Sequence, residues 1–245
     1  MRSLFAAVLG LSLLGALLEA SPTRAEELRP QLDDLVRHFG QVLFGDEYGL
    51  NTGSKVIAKW QGPVGFTVQG RATPQMGKML GRHLGGLVPL TGLKFKQVKP
   101  GTPGPVIDLF FLKRKEMSLL SGANIDTKVI KRLTDDPTMV CFFLNWKKPQ
   151  DRIVKAIVVV NVERDPAQIN ACLLEELTQV MGLPNDVDAY WPTLFKPLDT
   201  SQSWSRWDKL YIKTLYDPRL KPGMKPVDAL FAARGIFAAA LAKQP

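Results

Sequence analysis

The chain has 245 residues, 45% hydrophobic and 22% charged, a balance that fits a globular protein and excludes a disordered or collagen-like one. Its formal charge of +9 is spread over short patches, Lys94-Phe95-Lys96, Lys113-Arg114-Lys115 and Lys147-Lys148. No nucleic-acid-binding motif accompanies them, so no nucleic-acid partner is expected, and the basic surface suits contact with an anionic envelope.

The first residues read as a secretory signal peptide over residues 1–25. Arg2 supplies the positive start, Leu4 to Leu18 the apolar run, and Thr23-Arg24-Ala25 the small-residue end, with cleavage before Glu26. As a membrane anchor the run is too short to span comfortably. The reading implies an exported protein, periplasmic or secreted, with no transmembrane span in its mature form. Residues 26–245 are then one domain, with a sheet-containing upper part over 26–182 and a mainly helical lower part over 183–245.

Leu28 to Phe44 carries Leu32, Leu35, Val36, Phe39 and Leu43 at helical spacing. Val56 to Trp60 and Val64 to Val68 are β-rich runs around Gly62-Pro63, and read as a hairpin. Thr73 to Leu87 reads as a helix closed by Gly85 and Gly86. Strands follow at Leu93 to Val98, Val106 to Leu112, Met139 to Trp146 and Ile153 to Val162, the last apolar enough for a central position. Lys115 to Asp136 has no clear pattern. Asp165-Pro166 opens a helix that runs to about Met181 and stops at Gly182. Helices from about Ser203 to Tyr216 and from Val227 to Leu241 complete the chain.

The chemistry concentrates in Glu175-Glu176-Leu177-Thr178-Gln179, continued by Gly182-Leu183-Pro184-Asn185-Asp186. The stretch resembles the zinc-peptidase helix H-E-x-x-H-x-x-G-x-x-H/D, in which two ligands one turn apart flank a general-base Glu. Glu175 and Gln179 fall on the first two ligand positions, Glu176 on the catalytic acid, Gly182 on the glycine and Asn185 on the third ligand, with Asp186 beside it. Ile169, Leu173, Leu177 and Val180 form the core side of the helix, with Leu174 and Met181 extending it. Glu175 and Gln179 share the opposite arc, and Glu176 sits at the seam, where partial desolvation suits a general base. Zinc prefers imidazole or thiolate, which this set lacks. Glu175, Gln179, Asn185 and Asp186 are oxygen donors better suited to Ca²⁺, Mg²⁺ or Mn²⁺, so the cofactor is none or a divalent cation. His38 and His83 lie in N-terminal helices, away from this motif. The cysteine pair, Cys141 and Cys172, is expected to form a disulfide in an oxidising compartment, tying the helix to an earlier strand.

Most of the chain resembles a bacterial exported family known as a domain of unknown function, number twenty-nine twenty-seven. The matching residues are Phe44-Gly45-Asp46-Glu47, Trp60 with Gly62-Pro63, Cys172 with the Glu175 to Asp186 stretch, Leu215-Tyr216-Asp217-Pro218-Arg219-Leu220, and Pro222-Gly223-Met224. That resemblance implies a shared fold and no established activity. The element order is also similar to the upper half of a zincin or metzincin domain, where a mixed sheet lies above the metal-bearing helix and the penultimate strand edges the cleft. This implies an α+β, zincin-like fold with a helical C-terminal part, Met139 to Trp146 at the cleft, and Met224 in the turn that lies beneath the metal in metzincins; an ordinary turn with a core Met is the simpler account of Met224. Two functions follow. One is a degenerate peptidase that binds a peptide or envelope polymer in the cleft. The other is a divergent hydrolase in which Glu176 activates water, with or without an unusual metal.

Overall fold

A computed structural model describes residues 29–45, 54–122, 130–131, 135, 138–148, 151–197 and 199–243. The signal-peptide reading over 1–25, Asp46-Glu47 and about half of the unpatterned stretch from Lys115 to Asp136 lie outside these residues. The fold is α+β, and the described residues form a five-stranded mixed sheet and five α-helices. In chain order these are α1 (Leu32–Phe44), β1 (Val64–Gly70), α2 (Pro74–Thr91), β2 (Phe95–Gln97), β3 (Val106–Leu112), a 3₁₀ segment (Arg114–Gly122), β4 (Cys141–Lys148), β5 (Arg152–Asn161), α3 (Pro166–Gln179), α4 (Arg206–Tyr216) and α5 (Pro226–Ala242).

The sheet order is β2-β1-β3-β5-β4. β1 pairs with β2 and β3 in parallel, and β3 with β5 in parallel, whereas β4 runs antiparallel to β5 at the edge. β5 carries an unbroken buried run from Ala156 to Asn161, as a strand covered on both faces should. On one face, Leu109, Phe111, Val158 and Val160 join the main core with α2 and α3. On the other, Ile157, Val159 and Phe142 meet Met117 and Leu120 of the 3₁₀ segment in a smaller core. Helices α1 and α5 pack together, and α4 contacts both α2 and α5.

Two expectations from the sequence are corrected. Val56 to Trp60 is not the first arm of a hairpin. Ile57, Ala58, Lys59 and Trp60 are buried in succession, which a half-exposed strand cannot do. Ile57 exchanges backbone hydrogen bonds with Gly223 and Met224, and Lys59 forms an isolated bridge to Arg152. The segment is a strap beneath the C-terminal half. Gly85 and Gly86 do not end α2 either, because the helix continues through Pro89 to Thr91 and stops at Gly92, in the left-handed conformation at φ 72°. Gly86 is a packing site instead: a Cβ there would lie 2.4 Å from the Trp204 ring.

Cys141 on β4 and Cys172 on α3 form a disulfide, with Cα atoms 6.0 Å apart. The sheet edge is thus joined covalently to the helix that carries the polar motif. The bridge closes a loop across a sequence separation of 31 residues, for which the loss of unfolded-chain entropy is roughly 3–4 kcal/mol. Thiol titration of denatured, unreduced protein should find no free cysteine, and Cys141→Ser with Cys172→Ser should lower the unfolding free energy by about that amount in a urea titration.

Candidate functional site

Helix α3 begins where Asp165 accepts hydrogen bonds from the backbone N–H groups of Ala167 and Gln168, at 3.0 and 2.9 Å, and Pro166 occupies the first turn. Asn170, one turn in, accepts from His83 Nε2 at 3.0 Å and donates to Gln202 at 2.7 Å. Beyond Cys172 the helix is buried on nearly every side. Glu176 is 5% exposed and Gln179 2%, and of the motif's helical residues only Glu175 is half-buried. The polar arc is thus largely interior, with Gln179 buried and Glu175 half-buried.

The end of α3 is enclosed by the strap and by α4. Gly182 turns the chain at φ 111°, and a Cβ there would lie 2.1 Å from the Ala58 carbonyl oxygen. The last carbonyls, which have no helical partner, are met by side chains instead. The Trp60 indole donates to Val180 O at 2.7 Å, and the Tyr216 hydroxyl to Met181 O at 2.9 Å. Beside them, the buried Lys59 ammonium donates to Leu215 O at 2.7 Å and Leu220 O at 2.5 Å, closing the end of α4. Burial draws Lys59 down to about 8, against the pull of the Asp217 carboxylate.

This turn brings Asp186 back onto α3. Gln179 Nε2 donates to Asp186 Oδ1 at 2.7 Å, and Glu175 hydrogen-bonds the same carboxyl. Glu175, Gln179 and Asp186 thus converge, as their spacing predicted. Burial raises Asp186 to about 6; the nearby Asp199 carboxylate adds to the rise, and the bonds from Gln179 and Glu175 oppose it. Asn185 is placed differently. Its amide donates to Val42 O at 2.8 Å and its backbone N–H reaches the same oxygen at 3.3 Å, so it staples the turn to α1. Asp199, distant in sequence, gave no signal of its own.

The donor set does not fit zinc. Gln179 spends its amide N–H on Asp186, Asn185 turns to α1, and both histidines are interior. His38 Nε2 donates to Val187 O at 3.1 Å among the rings of Trp191 and Tyr211, and burial lowers the pKa of both His38 and His83. Among the described residues no group of three or more His, Cys, Asp or Glu side chains is set to hold a metal ion. Met224 lies in the turn that pairs with Ile57, and its sulfur accepts the Lys221 N–H at 3.0 Å.

β4 forms the edge beside this helix. The Asn161 N–H to Val140 O bond fixes the ladder phase, so Val140, Phe142, Leu144 and Trp146 turn their backbone groups toward β5. Cys141, Phe143 and Asn145 then present theirs outward, while their side chains share the α3 side with Cys141. Asn145 Oδ1 is buried without a hydrogen-bond partner among the described residues.

Two outcomes test this construction. Gly182→Ala meets both a positive φ and the Ala58 oxygen, and should cost more than about 2 kcal/mol in chemical denaturation. Asp186 is raised in the folded state from 3.8 to about 6, so its contribution is whole below 3.8 and lost as pH climbs through 6. Stability should fall by roughly 2–3 kcal/mol across that window. Asp186→Asn, which keeps the acceptor for Gln179, should flatten the profile.

A comparison with curated proteins finds no match. A family model described as "Protein of unknown function (DUF2927)" matches residues 33–232, from the first turn of α1 into α5. The chain belongs to that family.

Proposed function

We propose that this protein is a degenerate, zincin-like peptidase scaffold, exported to the cell envelope, that binds an extended peptide or envelope polymer along β4 rather than cleaving it. The observation that carries the reading is the outer edge of β4, which no described strand pairs. That edge is clamped by the disulfide to the helix bearing the peptidase-like motif. An incoming strand would pair with the outward groups of Cys141, Phe143 and Asn145, in the manner of β-strand addition. The buried, unpartnered Asn145 oxygen is an acceptor that a ligand donor can satisfy. The edge position of β4 supports the reading, because the likeness to zincins implies a cleft lined by the penultimate strand. No described helix is long and apolar enough to cross a membrane, and the disulfide suits an oxidising compartment.

The state of the motif favours binding over catalysis. Gln179 and Asn185 are committed to internal hydrogen bonds, and Asp186 is hydrogen-bonded to both Gln179 and Glu175. Residues at the ligand positions thereby stabilise the turn instead of facing a metal.

The reading is tested with a library of extended hexapeptides, followed by surface capture and mass spectrometry. Peptides should be retained intact. Asn145→Pro deletes one outward N–H at an edge position where proline is tolerated, and should weaken capture about tenfold or more with little change in melting temperature. Glu176→Gln should leave capture unchanged. Cleaved peptides whose cleavage disappears in Glu176→Gln would establish the hydrolase instead, and retention indifferent to Asn145→Pro would remove β4 from the account.

A further inference from the structure

Helix α5 breaks the usual rule for a surface helix, because its outer face is apolar as well as its inner one. Its inner face is accounted for. Ala229, Ala233 and Phe237 are buried, Phe237 meets the Phe39 ring edge-on at 5.3 Å, and Leu230 sits over Gly40 of α1. Its outer face is not. Val227 is 80% exposed and Phe231 82%, and Gly235, Ala238 and Ala242 continue the exposed face to the helix end. At 100° per residue these five fall on one arc. The charges stand only at its margins: Arg234 on one side, bound to Asp33 of α1, with Asp228 and Lys243 on the other.

We propose that this face is a dimer interface, in which α5 of one copy packs antiparallel on α5 of a second copy about a two-fold axis between Arg234 and Gly235. A two-fold interface must be complementary to itself, and an axis at this point lets the exposed apolar residues along the helix meet that demand. Val227 faces Ala242 of the second copy, and Phe231 faces its Ala238. Each bulky side chain therefore meets a small one, and at the crossing point Gly235 lets the two backbones approach, with the two Arg234 side chains adjacent on the α1 flank and each neutralised by Asp33 of its own copy. The same rotation keeps each flank on its own side. Asp228 of one copy then lies within a turn of Lys243 of the other, on the flank that α1 leaves open, and the two charges are opposite. A contact made by one 17-residue helix, about 25 Å long, falls short of the roughly 800 Å² per partner of a standard interface. The dimer is accordingly a reversible one.

Sedimentation velocity over a concentration series tests this directly. The wild type should shift from one chain to two as concentration rises. Phe231→Glu, at a side chain exposed in the monomer, should stay monomeric with an unchanged melting curve. Register is tested by oxidative crosslinking, since the only two native cysteines are already joined to each other. An equimolar mixture of Val227→Cys and Ala242→Cys proteins should yield a disulfide-linked pair, and Val227→Cys alone should not. A wild type that stays monomeric throughout, or a dimer indifferent to Phe231→Glu, overturns the proposal. So does self-crosslinking by Val227→Cys, which would mean parallel helices. Binding of a monomer to phosphatidylglycerol vesicles, dependent on Phe231 and weakened by salt, would assign the face to a lipid surface instead.

Discussion

The buried end of helix α3 is the constraint around which the remaining elements are arranged. A helix that finishes inside a protein leaves carbonyl oxygens with neither helical partners nor water, and each orphan costs about 1–3 kcal/mol. Here the Trp60 indole and the Tyr216 hydroxyl take Val180 O and Met181 O. Both donors come from elsewhere in the chain, so the strap and α4 must close on α3 together. Lys59 reinforces the closure from the strap side by binding Leu215 O in the last turn of α4 and Leu220 O in the loop beyond it. Gly182 makes it sterically possible, since any Cβ would occupy the place of the Ala58 oxygen. One glycine thus links the helix, the strap and the turn that carries Asn185 and Asp186.

This explains which parts of the fold were legible in the residues. β3 was read at its observed bounds, Val106 to Leu112, and β5 within a residue, because apolar strand patterns report burial directly. The start of α3 was legible from Asp165-Pro166 and its end from Gly182, since caps and positive-φ turns are local chemistry. The strap was misread because its β-rich residues are shaped by partners more than a hundred positions away. Ile57 pairs with Met224, and Trp60 reaches Val180. Gly85-Gly86 misled for a related reason: Gly86 is required by the Trp204 ring rather than by a helix end. In each case the deciding contact is long-range, and local pattern carries no trace of it.

The candidate site divides along the same line. That Glu175 and Gln179 would converge with Asp186 followed from an i,i+4 spacing and one turn, and the hydrogen bonds are there. That Asp199 would join them did not follow from any spacing, nor did the lone acceptor of Asn145 on the edge strand. The depth of the site was also hidden. Helical periodicity separated a polar arc from an apolar one, but it could not tell that the polar arc faces inward.

Depth decides what the motif can do. Carboxyls held in the interior must share a proton, pair with a cation or be neutral, because a lone buried charge is too costly. Asp186, half-buried, is pushed toward its neutral form by burial and by Asp199, while it bonds to Glu175 and accepts from the neutral amide of Gln179. An amide at position 179 is suited to that arrangement, since it donates to the carboxyl without bringing a charge. A histidine there would bring a titrating ring and a geometry meant for a metal. The amide–carboxyl contacts therefore let the polar side of α3 secure the Gly182 turn, while the Cys141–Cys172 bridge joins the same helix to β4.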